Sequence, residues 1–180
     1  MRNLLFIIWL LACSPLSSAQ EIDRGQRLDL NMGAVWAKLI ELIDIADWQK
    51  AELLNNEVKQ ELVNDCSIQL VLFDNYALAI SNRETQESKE YLTLLIANRI
   101  LLELKSIPGI KDFSVRKEYI KRVFEELIAI QYPLKALDFD QYKSIFSLIR
   151  SMYHSSEERD VIIRKLHANK YYKTISESCS

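Results

Sequence analysis

From Met32 to Tyr153 the apolar residues recur at steps of three and four, the period of helices that bury one face. Trp36, Leu39, Ile40 and Ile43 stand at i, i+3, i+4 and i+7 and predict a first helix over 32–46. Beyond Asp47 the pattern runs through Ala51, Leu54, Val58 and Leu62, then Cys66, Leu70, Phe73, Ala77 and Ile80. The second group has heptad spacing, which predicts one long helix, or two in line, packed along a partner helix. The short run Ile68–Phe73 also reads as a strand. No other segment makes a convincing strand to pair with it, so helix is preferred.

"SNRE" at Ser81–Glu84 has the form of a capping box, with the serine oxygen placed to accept an N–H and the glutamate to reach back. Tyr91–Leu104 follows and is apolar on nearly every side, interrupted by Asn98 and Arg99, as expected of a central helix. Pro108-Gly109 breaks the chain, and Ser114 is placed to cap a helix carrying Ile120, Val123, Phe124 and Leu127. Tyr132-Pro133 should end it, because the residue before proline is pushed out of the α region. Asp138 with Gln141 opens the next helix, whose Tyr142, Ile145, Phe146, Ile149, Met152 and Tyr153 form the cleanest stripe in the chain. Ser155 and Glu158 begin a final helix that weakens toward Tyr171-Tyr172.

These segments predict an all-α fold, a single-domain bundle of five or six antiparallel helices over 32–180. Composition agrees: three glycines and three prolines are too few for the many tight turns of a sandwich or barrel. The caps are unevenly spaced, which disfavours a solenoid.

Residues 1–19 differ in kind. Arg2, the apolar run Leu4–Ala12 and the small residues Ser17, Ser18 and Ala19 have the layout of a secretory signal peptide, with cleavage expected between Ala19 and Gln20. The rival is "LLAC", Leu10–Cys13, which resembles the lipobox of bacterial lipoproteins and would put an acyl chain on Cys13. The apolar run is far short of the ~20 residues a spanning helix needs, so no transmembrane helix is expected. Residues 20–31 read as an extended N-terminal segment. On either reading the chain is exported, to the periplasm or the extracellular space, or tethered to a membrane as a lipoprotein; a third reading, an uncleaved and buried N-terminal helix, would not export it.

Removal of nineteen residues leaves 161, with 22 Lys+Arg against 25 Asp+Glu. The charges are unevenly spread: 15 acidic and 8 basic residues over 20–104, then 10 acidic and 14 basic over 105–180. Ordinary solvated helix faces that happen to differ account for this; otherwise two halves of opposite sign could attract each other within one bundle, or the basic half could face an acidic partner. A calculated pI near 5.8 and an export signal make nucleic acid a poor candidate. Cys66 and Cys179 form an even pair in an oxidising compartment, and a bridge between them is expected.

Catalytic signatures are missing from the sequence: it holds no G-x-S-x-G, H-E-x-x-H, P-loop or Rossmann glycine pattern. His154 and His167 are too far apart to share a helical turn, so no metal site and no cofactor is expected. Cys66 lies on an apolar stripe, where a thiol is a poor nucleophile. Acidic groups at Glu41, Asp44 and Asp47, at Glu125-Glu126 and at Asp138/Asp140 sit where solvated faces and helix caps belong. Tyr153, Tyr171 and Tyr172 lie in the basic C-terminal region, and aromatic residues beside Lys and Arg are common interface anchors. The pattern therefore points to an exported, non-catalytic helical protein that binds an unidentified protein partner, as an inhibitor or immunity-type protein does. Two alternatives follow from other features. Excess apolar positions around Tyr91–Leu104 suit a small-ligand or lipid carrier with a cavity in the bundle. A carboxylate pair drawn from Glu41, Glu125 and Asp140 would suit a hydrolase.

Overall fold

A computed structural model describes residues 31–63, 66–154 and 159–179. The chain divides into Met1–Asn31 and Met32–Ser180, and the second unit holds every helix described. Cys13, Ala19 and Gln20 lie outside the described residues, as do the cap residues Ser155 and Glu158.

Nine α-helices and no strand occur among the described residues: α1 (Met32–Asp44), α2 (Trp48–Val63), α3 (Ser67–Asn82), α4 (Thr85–Leu104), α5 (Phe113–Ala129), α6 (Gln131–Leu137), α7 (Phe139–His154), α8 (Arg159–Ala168) and α9 (Lys170–Ser178). A single 3₁₀ turn at Ile107–Gly109 lies between α4 and α5. α4 is the hub, touching α1, α2, α3, α5, α6 and α9. Its Leu92, Leu95, Ile96, Ile100, Leu101 and Leu104 are fully enclosed, each worth about 1.5–3 kcal/mol relative to exposure.

The helices number more than five or six because several expected long segments are broken. α2 ends at Val63 and α3 begins at Ser67, the two-helix form of that segment, and the C-terminal stretch splits at Asn169, whose side chain caps α9 by accepting from the N–H groups of Tyr171 and Tyr172 at 3.1 and 3.0 Å. Pro133 does not end a helix. α5 stops at Ala129, and Pro133 sits in the first turn of α6, where its missing N–H would have had no helical acceptor.

Two caps fall elsewhere than the sequence suggests. Asp112, not Ser114, caps α5, its Oδ1 accepting from Ser114 N at 2.7 Å and Val115 N at 3.0 Å. Ser81 begins no helix: α3 runs through it and closes on Arg83 in the left-handed region (φ 62°). Arg83 N–H then reaches Ile80 O and Glu84 N–H reaches Ala79 O, the two bonds of a Schellman motif. Ala46 (φ 56°) closes α1 in the same way, through Ile43 O and Leu42 O. Asp138 does cap α7, accepting from Gln141 N at 2.8 Å.

α3 keeps its heptad spacing in a shifted register. The buried positions are Cys66, Gln69, Phe73, Tyr76, Ala79 and Ile80, whereas Leu70 is 44% exposed. Gln69 takes the inward place because its amide binds backbone on two helices: Nε2 donates to Leu62 O at 2.9 Å and Leu95 O at 3.1 Å, and Oε1 accepts from Asn98 Nδ2 at 3.3 Å. Leu62 O belongs to the last turn of α2, so Gln69 supplies a donor that the helix end otherwise lacks.

Cys66 and Cys179 are joined by a disulfide with their Cα atoms 4.7 Å apart. Beside it Ser67 Oγ donates to Ser178 O at 2.9 Å. The start of α3 and the end of α9 are thereby tied across 113 residues. α1 meets α5 at Gly33, where a Cβ would stand 2.9 Å from the carbonyl carbon and oxygen of Glu125. Glycine is required by that approach.

Candidate functional site: an aromatic and basic groove

The acids singled out on the first helix are surface pairs. Glu41 accepts from Lys38 at 2.9 Å, Asp44 from Lys89 at 2.7 Å and Asp47 from Lys50 at 2.6 Å. The hydrogen bond from Lys50 holds the Asp47 carboxyl below its usual range. Glu41 and Asp140 are exposed and Glu125 is half-buried. None of the three grooves described below is lined by two of these three.

A different acidic group converges inside the bundle. Arg99 of α4, almost fully buried, pairs with Glu126 of α5, with Glu103 one turn on at 2.5 Å, and with Glu61 of α2 at 3.7 Å. Trp36 of α1 donates its indole N–H to Glu126 Oε2 at 2.8 Å, and the guanidinium lies 5.6 Å from the Trp36 ring. Burial alone would lower the Arg99 pKa, but the facing Glu126 and Glu103 carboxylates outweigh it and raise it. Glu103 is pushed up to about 7, first by burial and then by Glu126 and Glu61, against the pull of Arg99.

A carboxyl that titrates near neutrality meets one requirement of general acid–base chemistry. Glu103 and Glu126 nevertheless share Arg99 and line none of the grooves described. Their geometry is that of a buried ion cluster joining four helices. The periodicity hid it, since Arg99 reads as an interruption of an apolar helix. The usable signal was that a buried arginine demands carboxylates.

Between α5 and α7 lies a groove of about 420 Å³, lined by Ile120, Lys121 and Phe124 on one side and Phe146, Ile149, Arg150 and Tyr153 on the other. Its floor continues as a row of rings: Phe124 to Phe146 at 6.0 Å, Phe146 to Tyr142 at 6.0 Å and Tyr142 to Phe139 at 6.5 Å between centroids. Cations stand along the row, Lys135 4.5 Å from the Tyr142 ring and Lys117 5.5 Å from that of Tyr153. The clean stripe of α7 produces this arrangement. It is wider than the core needs: Ile145, Ile149 and Met152 turn inward, while Tyr142 and Phe146 stay half-buried and Phe139 is 59% exposed.

Of the three tyrosines expected at an interface, only Tyr153 lines this groove. Tyr171 is half-buried and donates its hydroxyl to Asp138 at 3.1 Å, tying α9 to the cap of α7. Tyr172 is a core residue, 2% exposed, with the His167 ring against its edge at 5.7 Å. That inward turn follows from the Asn169 cap, which fixes the phase of α9 so that Tyr172 and Ile175 share its buried face. The side chain of His154 lies outside the described residues, so the histidine pair is described at His167 alone. Among the described residues no group of three or more His, Cys, Asp or Glu side chains is disposed to hold a metal ion, and no helix is long and apolar enough to cross a membrane.

Two further grooves are more polar. One, between α7 and the α8–α9 corner, holds Asp140, Lys143, Ser144, Lys165 and Asn169. The other, between α1, α4 and α6, holds the Asp44–Lys89 pair, Thr93 and Tyr132. Comparison with protein-family models, with curated proteins and with solved structures finds no match to this chain.

Proposed function

We propose that this chain is an exported, non-catalytic helical protein that binds a protein partner, as inhibitor and immunity-type proteins do, and that the α5–α7 groove is its contact surface. The observation that carries the reading is the groove itself: an apolar floor of Ile120, Phe124, Phe146 and Ile149, with Tyr153, Lys121 and Arg150 at its edge. Aromatic side chains and arginine are enriched at protein interfaces, and a recessed apolar patch rimmed by charge has the anatomy of one. Export follows from the leader, with the mature chain starting at Gln20; acylation at Cys13 is the competing form, and the intact mass of native protein separates the two.

The test is site-specific photocrosslinking in the exported fraction of the native host. A photoreactive residue at Tyr153 should give one stoichiometric adduct with a protein, and the same residue at the exposed Glu87 of α4 should not. Equal background at both positions refutes the reading.

A further inference from the structure

We infer that the α5–α7 groove receives an acidic amphipathic helix, apolar residues against the ring row of α7 and carboxylates against Lys117, Lys121 and Arg150. The inference rests on the groove being a protein-binding surface and names the element it takes.

Shape selects a helix. The floor from Phe146 to Tyr153 covers two helical turns, and with Phe139 four turns, or about 21 Å at 1.5 Å per residue. A partner helix of that length presents apolar residues at i, i+4 and i+7, the usual anchors of helix-in-groove recognition. An extended peptide would draw affinity from main-chain hydrogen bonds to a sheet edge. The groove is walled by two helices whose backbone groups are already engaged, so it offers no such edge. A bilayer is matched by projecting apolar residues on a convex face. Here Ile120, Phe124, Phe146 and Ile149 are recessed between helices, and only the ends of the row, Phe139 and Tyr153, are exposed.

Charge selects an acidic one. Lys121 and Arg150 line the groove, and Lys117 reaches the Tyr153 ring at its end. Among the described residues none of these three cations is in an ion pair. The carboxylates of the same two helices, Glu118, Glu125, Glu126 and Asp140, lie outside the lining. Glu126 is committed to Arg99 and Trp36. A basic rim without compensating acids among the described residues attracts carboxylates and repels a lysine-rich helix, which sets partner choice more than raw affinity.

Two labelled synthetic helical peptides test this. Both are about five turns long with leucine at i, i+4, i+7 and i+11; one is flanked by glutamate and the other by lysine. Fluorescence anisotropy with the full chain should show the glutamate peptide binding roughly tenfold tighter or more, with the advantage shrinking as salt rises. Lys121 and Arg150 are exposed, so the Lys121→Glu/Arg150→Glu variant keeps the fold and should reverse the preference. Phe146→Ala, which interrupts the ring row between Phe124 and Tyr142, should weaken the glutamate peptide without altering the order. Equal binding of the two peptides, binding of neither, or a preference that survives the charge reversal overturns the inference. Co-sedimentation with anionic vesicles that is lost in the same variant, without peptide discrimination, overturns it in favour of a membrane surface. A Tyr153 crosslink to a partner that presents no acidic helix also overturns it while leaving the protein-binding reading intact.

Discussion

Replacing Glu103 by glutamine should stabilise the protein at neutral and alkaline pH and do little in acid. In the folded chain Glu103 keeps its proton up to about 7, whereas an ordinary glutamate releases it near 4.5. Between those values the folded state binds more protons than the unfolded state, so the wild-type contribution falls as pH rises. Each pH unit across that interval is worth about 1.4 kcal/mol, giving about 3 kcal/mol over the whole span. That figure is an upper bound, because a fifth of the Glu103 side chain remains open to water. Glutamine cannot ionise, and Arg99 retains Glu126 and Glu61 as partners. The stability difference between Glu103→Gln and wild type should therefore grow by up to about 3 kcal/mol from pH ~4.5 to pH ~8. Urea unfolding followed by far-ultraviolet circular dichroism at several pH values reads this directly. A difference that stays constant with pH would refute the assignment of the neutral-range proton to Glu103.

Three other outcomes are expected. Arg83→Gly and Ala46→Gly, each placed at a left-handed helix end, should raise stability by about 0.5–1 kcal/mol because glycine carries no Cβ penalty there; thermal melts showing a loss at both sites would contradict the Schellman geometry. Gly33→Ala should cost about 1–3 kcal/mol by forcing α1 away from the Glu125 backbone, visible as a lower denaturation midpoint. Reduction of Cys66–Cys179 should remove about 4–5 kcal/mol on the chain-entropy model, and two free thiols in non-reducing mass spectrometry of the native protein would show that the bridge does not form.

The helical class was legible because a period near 3.6 survives in nearly every segment, and scarce glycine removes the β alternatives. The disulfide was legible from an even count of cysteines once the leader is read as an export signal. Register in α3 was not, because hydrophobicity favours Leu70 over Gln69 and only the carbonyls of Leu62 and Leu95 explain the reverse. The Arg99 cluster was invisible for a related reason: its partners come from three helices, and sequence spacing records only the Glu103 one turn away. Tyr172 looked like an anchor from its neighbours' charge, yet the phase of a short helix set by Asn169 decides its direction. The groove was half legible. Its aromatic stripe on α7 is plain in the sequence, but the opposite wall depends on which face of α5 meets it.

The link between Cys66 and Cys179 also fixes how the molecule carries mechanical load. Tension applied at the C-terminal end passes through sulfur to the start of α3, so everything from α3 to α9 is shielded. Pulling on the two ends of the oxidised chain can then extend only α1, α2 and what precedes them. Once reduced, the chain should release about 380 Å of further contour, from 113 residues at about 3.4 Å each. An unfoldase threading the protein from its C-terminal end would meet a closed covalent ring in an oxidising compartment and an ordinary strand in a reducing one.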